Sequence, residues 1–558
     1  MKKILLLIIC IFLGGIGAIV YINELPSTDG IDPLTYFTEF SQDQMNVTFE
    51  DIRLSYDNTV IVKDDIIYVS SEFAKKYIDD RIFYDAEENI LTITNLEQII
   101  RMYLDDLTYT INGEPHQLSH AIFEQDEKAY IPISYIEANY PFSFSMGNDG
   151  RLVLASDLTN PVQLATVTAK KQAYLRTHPE KKALVVDVVY PNEVLEVYGT
   201  LEDYTRVRNS NGMIGLIATK DIELIGTRKT QTHQQYYALP SKNPLNESVK
   251  LVWDQIGGKT AGDWTSYTYT TIDGANVISP TWFDFADENG KLADRGHAQY
   301  VVNAHNHGLQ VWPIFAHTFT QPQYTRQILT STAKRQYVID QLIDYSLLYN
   351  LDGINVDIEN IQEDFSEEWV QFMRELYPQL KEIGVTVSVD IYVPSPWSMH
   401  YHRDKVAEVV DYFMVMAYDQ HWSGSEQAGP VASIPWVRES VEATLEQVPV
   451  EKLVLGIPFF NRIWAETEDE KLETRATSMY EINTILRTNN ITKTYDPFTE
   501  LNYVEYWLNN KLYKIWIEDA EAIAKRVEII DTYNLAGYAG WRVGLETPDV
   551  WEHLSKIK

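Results

Sequence analysis

The sequence predicts a multidomain protein whose C-terminal part is an α/β barrel of eight parallel strands. The chain has 558 residues, which is too long for one hydrophobic core. Strand-like and helix-like segments alternate from residue 249 to residue 558. One candidate strand, residues 353–359, alternates apolar with polar side chains although it lies in the middle of this pattern. The first two observations predict the barrel, and the third marks the strand most closely tied to its function.

The candidate barrel strands are short apolar segments separated by helix-like stretches. This length and rhythm are those of a (β/α)8, or TIM, barrel. A longer α+β insertion follows the seventh strand, where residues 504–508 and 511–517 flank the turn pair Asn509-Asn510 of a predicted hairpin that overhangs the barrel mouth. The eight strands are predicted at residues 251–253, 277–281, 310–315, 353–359, 386–391, 412–418, 453–457 and 537–541.

Residues 1–25 are expected to be a secretory signal or a membrane anchor. Lys2 and Lys3 precede an apolar run over residues 4–22. No good small-x-small cleavage site follows, which favours an uncleaved anchor with the rest of the chain outside the membrane. The single cysteine, Cys10, lies in this run, so the folded part is expected to hold no disulfide and no cysteine-ligated metal.

A weak internal repeat follows, in residues 34–160. Ile67-Tyr68-Val69-Ser70 and Ala129-Tyr130-Ile131-Pro132 each begin a unit that reads as strand, helix and hairpin. The unit resembles the copper amine oxidase N-terminal-like domains of bacterial surface proteins. Because the repeat contains no cluster of histidines, we interpret it as a wall-facing or spacer module that binds no copper.

Residues 161–225 contain short β-runs separated by turn residues. The closing run, residues 211–217, resembles the end of a bacterial SH3-like domain, which predicts a small all-β barrel. Such domains commonly bind cell-wall peptides, so a wall peptide or glycan is the hypothetical partner of the N-terminal modules. Residues 226–248 are rich in Thr, Gln, Asn and Pro and are interpreted as a linker to the barrel domain, residues 249–558.

The charge balance limits the possible partners. With 46 basic and 80 acidic residues the net charge is -34, which excludes nucleic acid and argues against charge-driven adhesion to anionic membranes. The 13 Trp and 36 Tyr exceed what a core needs, and exposed aromatic rings can stack on the apolar faces of sugars. Composition therefore favours a neutral or cationic partner.

The polar face of the strand at 353–359 carries Asn355, Asp357 and Glu359. Burying such groups without partners would cost roughly 1–3 kcal/mol each, so we expect this row to do chemistry. The alternative is an acidic strand end that caps a helix or binds an ion.

The pattern Asp352, Asn355, Asp357 and Glu359 resembles the Asp-x-x-Asp-x-Asp-x-Glu signature of glycoside hydrolase family 18. Three later strand ends resemble the same family in the same order. They read Met414-Val415-Met416-Ala417-Tyr418-Asp419, Gly456-Ile457-Pro458-Phe459-Phe460 and Gly540-Trp541. The resemblance covers the whole predicted barrel and implies a glycosidase of the chitinase or N-acetylglucosaminidase type.

The resemblance also implies roles for individual residues. Glu359 would be the general acid and then the base of a substrate-assisted mechanism, in which the 2-acetamido oxygen of the sugar attacks. Asp357 would bind the acetamido N–H and raise the proton affinity of Glu359, and Tyr418 would bind the acetamido oxygen. Trp541 would form the floor under the sugar ring. The expected substrate-binding residues are Asn355, Asp419, Trp541, Met416 and Tyr392.

Asn355 departs from the acid that the family signature has at this position. Asp357 would then lack one acidic neighbour, and activity with a shifted pH profile is expected. A similar Asn is compatible with bacterial cell-wall and spore-cortex members of the family, which favours peptidoglycan over chitin.

The remaining polar and aromatic residues have plainer interpretations. Asp352 has the opposite strand parity and is expected to be structural. The pairs His305/His307 and His400/His402 have metal-like spacing but lack a third ligand, so neither a metal nor a cofactor is predicted. His421 and Trp422 are expected to line the cleft. Contact with sugar and ordinary packing both remain open for Asp390, Tyr392, Trp282, Phe283 and His317.

These predictions combine into a monomeric, extracytoplasmic glycosidase, anchored in the membrane or secreted to the cell wall. It would cleave β-1,4 bonds of an N-acetylglucosamine-containing polysaccharide. Two alternatives remain: a carbohydrate-binding lectin on an inactive barrel, and a wall-anchoring structural protein whose N-terminal modules carry the function. Retention of Glu359 argues against the lectin.

Overall fold

The computed structural model describes residues 25–54, 59–148, 150–256, 272, 274–467 and 472–558. The chain divides into two compact units, residues 1–93 with 100–235 and residues 94–99 with 236–558. Residues 1–24 of the predicted anchor, with Cys10, lie outside the described ranges. None of the described helices is long and apolar enough to cross a membrane.

The first part of the N-terminal unit consists of three small sheets and short helices. Their strand orders are β12-β13-β1-β2, β10-β11-β4-β3 and β5-β6-β7-β8-β9. The helices are α1 (Pro33–Tyr36), α2 (Ser71–Tyr77) and α3 (Ile133–Asn139). The strands are β1 (Asn46–Phe49), β2 (Ile52–Arg53), β3 (Val60–Lys63), β4 (Ile66–Ser70), β5 (Ile82–Asp85), β6 (Ile90–Thr94), β7 (Ile99–Tyr103), β8 (Thr108–Ile111), β9 (Glu114–Gln117), β10 (Phe123–Gln125), β11 (Lys128–Pro132), β12 (Phe142–Met146) and β13 (Leu152–Asp157).

The predicted internal repeat is present in these elements. β4, α2 and the hairpin β5–β6 form one copy, and β11, α3 and the hairpin β12–β13 form the other. β4 and β11 pair antiparallel, with Ser70 opposite Tyr130. Ser70 begins α2, because its Oγ accepts a hydrogen bond from the Phe73 amide at 3.2 Å. Each helix buries one apolar face, which holds Phe73 in α2 and Ile136 in α3.

The rest of the N-terminal unit is one antiparallel sheet of seven strands in the order β16-β15-β19-β18-β17-β14-β20. The likeness to an SH3-like domain stays a prediction. The last strand runs to Thr227, two residues into the predicted linker, and residues 228–248 contain no helix or strand. The strands are β14 (Gln163–Val167), β15 (Ala173–Arg176), β16 (Val185–Val189), β17 (Val194–Leu201), β18 (Tyr204–Arg208), β19 (Ile214–Ala218) and β20 (Ile222–Thr227).

The second unit contains a closed barrel of parallel strands, which confirms the predicted TIM barrel. Going round the barrel, the order is β21-β35-β29-β28-β27-β26-β25-β22, and β22 pairs again with β21. The strands are β21 (Val249–Asp254), β22 (Val277–Phe285), β24 (Gln310–Val311), β25 (Ile314–Ala316), β26 (Gly353–Asp357), β27 (Thr386–Tyr392), β28 (Tyr412–Met416), β29 (Leu453–Pro458) and β35 (Gly537–Trp541), with β23 (Leu292–Asp294) added at the edge of β22.

The third barrel strand differs from the prediction. Instead of one strand over residues 310–315, it is split into β24 and β25, which pair with successive parts of β22. The interruption falls at Trp312 and Pro313. Proline has no amide proton to donate to a neighbouring strand, which explains why the ladder breaks there.

Helices connect the strands and cover the outside of the barrel. Several have polar caps: Ser331 accepts a hydrogen bond from Lys334 at the start of α6, and Asp519 accepts two at the start of α11. Asn350 and Asn534 end these two helices in the left-handed conformation. The helices are α4 (Ala298–Asn306), α5 (Gln323–Leu329), α6 (Thr332–Tyr349), α7 (Ser366–Glu382), α8 (Arg403–Glu408), α9 (Ile434–Leu445), α11 (Ala520–Tyr533) and α12 (Trp551–Leu554).

The predicted α+β insertion lies between β29 and β35. It forms a separate sheet in the order β31-β30-β34-β33-β32, with helix α10 (Met479–Thr488) beside it. Asn509 and Asn510 both have positive φ, as a tight hairpin turn requires, and they join β33 to β34 as predicted. The strands are β30 (Phe460–Glu466), β31 (Leu472–Ser478), β32 (Thr494–Asp496), β33 (Leu501–Leu508) and β34 (Lys511–Ile517).

Candidate active site

A cleft of about 840 Å³ opens at the C-terminal ends of β26, β27 and β28. Glu359 lies two residues beyond the end of β26, and Tyr418 lies two residues beyond the end of β28. The strand ends therefore place these predicted residues in the loops that form the barrel mouth. The cleft is lined by Glu359, Tyr392, Val393, Pro394, Ser395, Trp397, Met416, Tyr418, Asp419, Gln420, Trp422, Trp436, Glu439, Ser440 and Ala443.

Asn355 lies fully buried below the cleft, and its side-chain amide is satisfied on both sides. Its Oδ1 accepts hydrogen bonds from Trp253 Nε1 at 2.9 Å and Ser279 Oγ at 3.3 Å. Its Nδ2 donates to Ser388 Oγ at 3.0 Å and to Asp390 Oδ1 at 2.9 Å. Asn355 is thus the centre of a polar layer inside the barrel and does not line the cleft.

Asp390, at the end of β27, supplies the acidic neighbour that Asp357 was expected to lack. Burial and the nearby charge of Glu359 raise the pKa of Asp390 to about 8, although the hydrogen bond from Asn355 opposes the increase. Asp390 and Glu359 in turn raise the pKa of Asp357, again after burial as the largest cause. The replacement of an acid by Asn355 therefore does not leave Asp357 without a neighbouring carboxyl group.

Asp357 is the least satisfied carboxyl group of the site. Its Oδ1 is buried and has no hydrogen-bond partner among the described residues. Buried polar atoms in proteins almost always have partners, so this oxygen is suited to bind a hydrogen-bond donor. The donor can be a carboxyl proton or an N–H group of a ligand.

Glu359 is held at three points. Its amide donates to His317 Nδ1 at 3.3 Å, its carbonyl oxygen accepts a hydrogen bond from the Tyr401 hydroxyl, and its Oε2 accepts one from the Tyr392 hydroxyl at 2.6 Å. Burial raises the pKa of Glu359, the Tyr392 hydrogen bond opposes the increase, and the charge of Asp419 adds to it. Asp419 thus adds charge repulsion at Glu359, and the charge of Glu359 likewise raises the pKa of Asp357, so Asp357 is a second acidic neighbour of Glu359.

His317 is neutral in this arrangement. Burial lowers its pKa to about 4, and its Nδ1 must be unprotonated to accept from the Glu359 amide. Its ring lies 4.3 Å from that of Phe319, centroid to centroid. His317 was one of the residues left open between packing and sugar contact, and its hydrogen bond places it against the backbone of the candidate acid.

Tyr418 and Asp419 close the sixth barrel strand. Burial and then the carboxyl groups around it raise the pKa of Tyr418, so its hydroxyl remains a donor. Asp419 has positive φ and lies 3.5 Å from Arg462 Nη2, which comes from the first strand of the insertion. Burial raises the pKa of Asp419, and Arg462 opposes that change.

The aromatic residues fall into two groups. Trp541 packs edge-on against Trp253 with ring centroids 5.9 Å apart and contacts the same inner cluster as Tyr418. Trp397 and Trp422 are 60% and 56% exposed and line the cleft with Met416 and Trp436. His421 instead donates from Nδ1–H to the Pro430 carbonyl at 3.1 Å, next to the cleft. Trp282 and Phe283 are buried in the core.

The other polar candidates are structural. Asp352 lies at the opposite end of β26 from Glu359, where it accepts from the Val311 amide at 3.0 Å and contacts His305 Nε2 at 2.7 Å. His400 contacts the Ile361 carbonyl. The described ranges contain no group of three or more His, Cys, Asp or Glu side chains that could hold a metal ion.

Among the residues of the site that sequence reasoning missed are Tyr401, Arg462, Trp436 and Trp397. Tyr401 lies in a short 3-10 helix, Met399–Tyr401, before α8. Arg462 lies in the insertion, Trp436 in α9 and Trp397 in the loop after β27. None belongs to a strand-end motif, and only the position of Arg462 shortly after the Gly456–Phe460 motif could have suggested it.

Comparison with known families agrees with this geometry. The family described as Glycosyl hydrolases family 18 matches residues 263–546, which is half of the chain. The protein belongs to this family. The copper amine oxidase N-terminal domain matches residues 48–154, which confirms the resemblance found in the repeat.

Individual relatives of this family 18 protein are distant. It is 24% identical over 238 residues to the cortical fragment-lytic enzyme of Bacillus subtilis, covering 41% of this chain and 55% of the relative. It is 22% identical over 315 residues to the uncharacterized glycosylase YvbX of the same organism, covering 54% and 90%. The chain thus spans only about half the length of two of the curated relatives that it matches, 55% and 56%.

A solved structure shares the fold. The spore cortex-lytic enzyme SleL of Bacillus megaterium superposes with a TM-score of 0.51 at 17% identity, over 62% of this chain and 78% of that one. The corresponding SleL of Bacillus cereus gives a TM-score of 0.50 at 19% identity, over 60% and 78%.

Proposed function

We propose that this family 18 protein hydrolyses β-1,4 bonds next to N-acetylglucosamine in peptidoglycan, with retention of configuration. One observation carries the proposal: Glu359 lies in the cleft with its pKa raised, next to Asp357, whose buried Oδ1 has no hydrogen-bond partner among the described residues. A raised pKa keeps a carboxylic acid protonated and able to donate near neutral pH.

In this mechanism Glu359 gives its proton to the glycosidic oxygen. The C1–O bond breaks with its electron pair on that oxygen, and the acetamido oxygen of the sugar forms a bond to C1. Water then attacks C1 and gives a proton to Glu359, and the bond from the acetamido oxygen to C1 opens. Asp357 Oδ1 accepts the acetamido N–H, and the Tyr418 hydroxyl donates to the acetamido oxygen.

The exposed rings of the cleft give the glycan its binding surface. Trp397 and Trp422 present apolar faces at the cleft, as stacking on sugar rings requires. The Trp541 ring, which packs against the same inner cluster as Tyr418, is the proposed floor of the sugar site. Asp419 orients the sugar, and Met416 fills the wall beside it.

Peptidoglycan is favoured over chitin on two grounds. Asn355 occupies the position of an acid in the family signature, and a curated relative is named a cortical fragment-lytic enzyme. Action on the cell wall also fits an extracytoplasmic location, with the N-terminal unit contacting wall peptide or glycan.

The decisive experiment compares the full-length protein with Glu359→Gln. Loss of the proton donor is expected to reduce the release of reducing ends from peptidoglycan by about 10²–10⁴-fold. Glu363→Gln makes the same chemical change at an exposed residue that does not line the cleft, and should leave the rate unchanged. Parallel assays on chitin oligosaccharides identify the preferred glycan. Binding of glycan without turnover by the wild type would overturn the proposal and favour a lectin.

A further inference from the structure

The Tyr392 side chain is directed at the candidate acid. Its hydroxyl donates to Glu359 Oε2 at 2.6 Å. The other carboxyl oxygen, Oε1, has no hydrogen-bond partner among the described residues, and Glu359 lines the cleft. The two oxygens of this carboxyl group are therefore not equivalent, because one is occupied by a protein donor and the other is available to a ligand.

Tyr392 is itself fixed from two directions. The fully buried Arg403 donates to its carbonyl oxygen from Nε at 3.0 Å and from Nη2 at 2.9 Å. Its ring packs edge-on against both Trp397 and Tyr401, with centroids 5.0 and 5.9 Å away. A side chain held in this way keeps its hydroxyl in place without help from substrate.

We propose that Tyr392 is a positioning residue that holds Glu359 Oε2, so that Oε1 is the oxygen that gives the proton to the glycosidic oxygen and later takes one from water. This inference rests on the proposed function. It changes the expected role of Tyr392 from a contact with sugar to a contact with the acid.

The surroundings of Glu359 make this hydrogen bond chemically important. A donor to the charged carboxylate lowers its pKa, and Tyr392 opposes the increase caused by burial and by Asp419. Removing the hydroxyl should therefore raise the pKa of Glu359. The titratable or charged groups around Glu359 are His317, Asp357, Asp390, Tyr392, Tyr401, Tyr418 and Asp419, the last with its partner Arg462.

The test is the pH profile of Tyr392→Phe on the glycan that the wild type cleaves. The alkaline limb of kcat/KM reports loss of the acid's proton in the free enzyme, and it should move to higher pH. Because the carboxyl group is no longer oriented, kcat should fall about tenfold or more, with KM little changed. A contact with sugar alone would instead raise KM and leave the limb in place, which would overturn the proposal.

Two matched variants separate positioning from general loss of structure. Tyr377→Phe removes a hydroxyl that donates to the Asp411 carboxylate, before the start of β28 and outside the cleft, and should leave activity and the limb unchanged. Tyr401→Phe removes the donor to the Glu359 carbonyl and should lower the melting temperature without moving the limb. A shifted limb in Tyr377→Phe would show that the profile reports stability, against the proposal.

A substrate-free measurement keeps this inference separate from the proposed function. The carboxyl C=O band of Glu359 can be titrated by infrared difference spectroscopy, using Glu359→Gln as the blank, in wild type and in Tyr392→Phe. Titration at higher pH in Tyr392→Phe supports the positioning role even if no tested glycan is cleaved. An unchanged titration overturns that role even if the glycosidase is active.

Discussion

At the scale of single residues, Asn355 and Asp390 together form part of the buried polar layer below the cleft. Family members with an acid at the position of Asn355 would have two carboxyl groups on one strand, whereas here the second carboxyl group comes from the neighbouring strand. The Asn355 amide donates to Asp390 Oδ1 at 2.9 Å, so the two side chains form one buried unit. The polar layer is thereby satisfied without a second carboxyl group on β26.

Asp390 should make the stability of the protein depend on pH. Its pKa is about 8 in the folded protein, against about 3.9 for an unfolded aspartate. A raised pKa means that the stabilisation is complete below the unfolded value and is lost as the pH rises through the folded one. Between pH 5 and 8, wild type should therefore lose up to about 1.4 kcal/mol of unfolding free energy per pH unit from this group.

Asp390→Asn tests this dependence, because asparagine keeps an oxygen for the Asn355 amide but does not titrate. Urea unfolding at a series of pH values should show a flatter decline between pH 5 and 8 than in wild type. Equal slopes for the two proteins would mean that Asp390 is not the group responsible.

At the scale of elements, the insertion is clamped to the barrel by buried polar contacts. Glu518 follows β34, and its amide donates to Asn461 Oδ1 at 2.7 Å, while the Asn461 amide donates to the Glu518 carbonyl at 2.9 Å. The Glu518 carboxylate accepts from Arg526 Nη2 of α11 at 2.9 Å, and both side chains are fully buried. Since Arg462 also comes from the insertion, this clamp helps to place the partner of Asp419.

Breaking the Glu518–Arg526 ion pair should lower the free energy of unfolding. Burial already raises the pKa of Glu518 to about 7 in spite of Arg526. Arg526→Met leaves that carboxyl group buried without its cation and should reduce the unfolding free energy by about 3–5 kcal/mol. Denaturant unfolding of the single variant and of Arg526→Met/Glu518→Leu measures the effect. The double variant should recover most of the loss, and a double variant no more stable than the single one would contradict this account.

At the scale of the whole molecule, the two compact units have separate hydrophobic cores. One cluster of the N-terminal unit is built around Val69, Phe73 and Ile131, and the main cluster of the other unit around the barrel strands and helices. Units with their own cores generally fold as units, so a single two-state transition is not expected.

Calorimetry should accordingly resolve more than one thermal transition. Arg526→Met should lower the temperature of the barrel transition and leave the transition of the N-terminal unit in place, because the substituted residue belongs to the barrel unit. A single transition that shifts as a whole in this variant would show that the units unfold together.

Four features could be predicted from the amino-acid sequence: the barrel, the internal repeat, the hairpin in the insertion and the row of Asn355, Asp357 and Glu359. Each of these features follows from local hydrophobic periodicity or from a motif confined to one segment of the chain. Tertiary structure alone decided that Asp390 adjoins Asn355, that Tyr392, Tyr401 and His317 hold Glu359, and that Arg462 pairs with Asp419. These contacts join different strands and loops, and closing the barrel is what brings their ends together. The spacing of these residues along the chain therefore does not predict that their side chains come into contact.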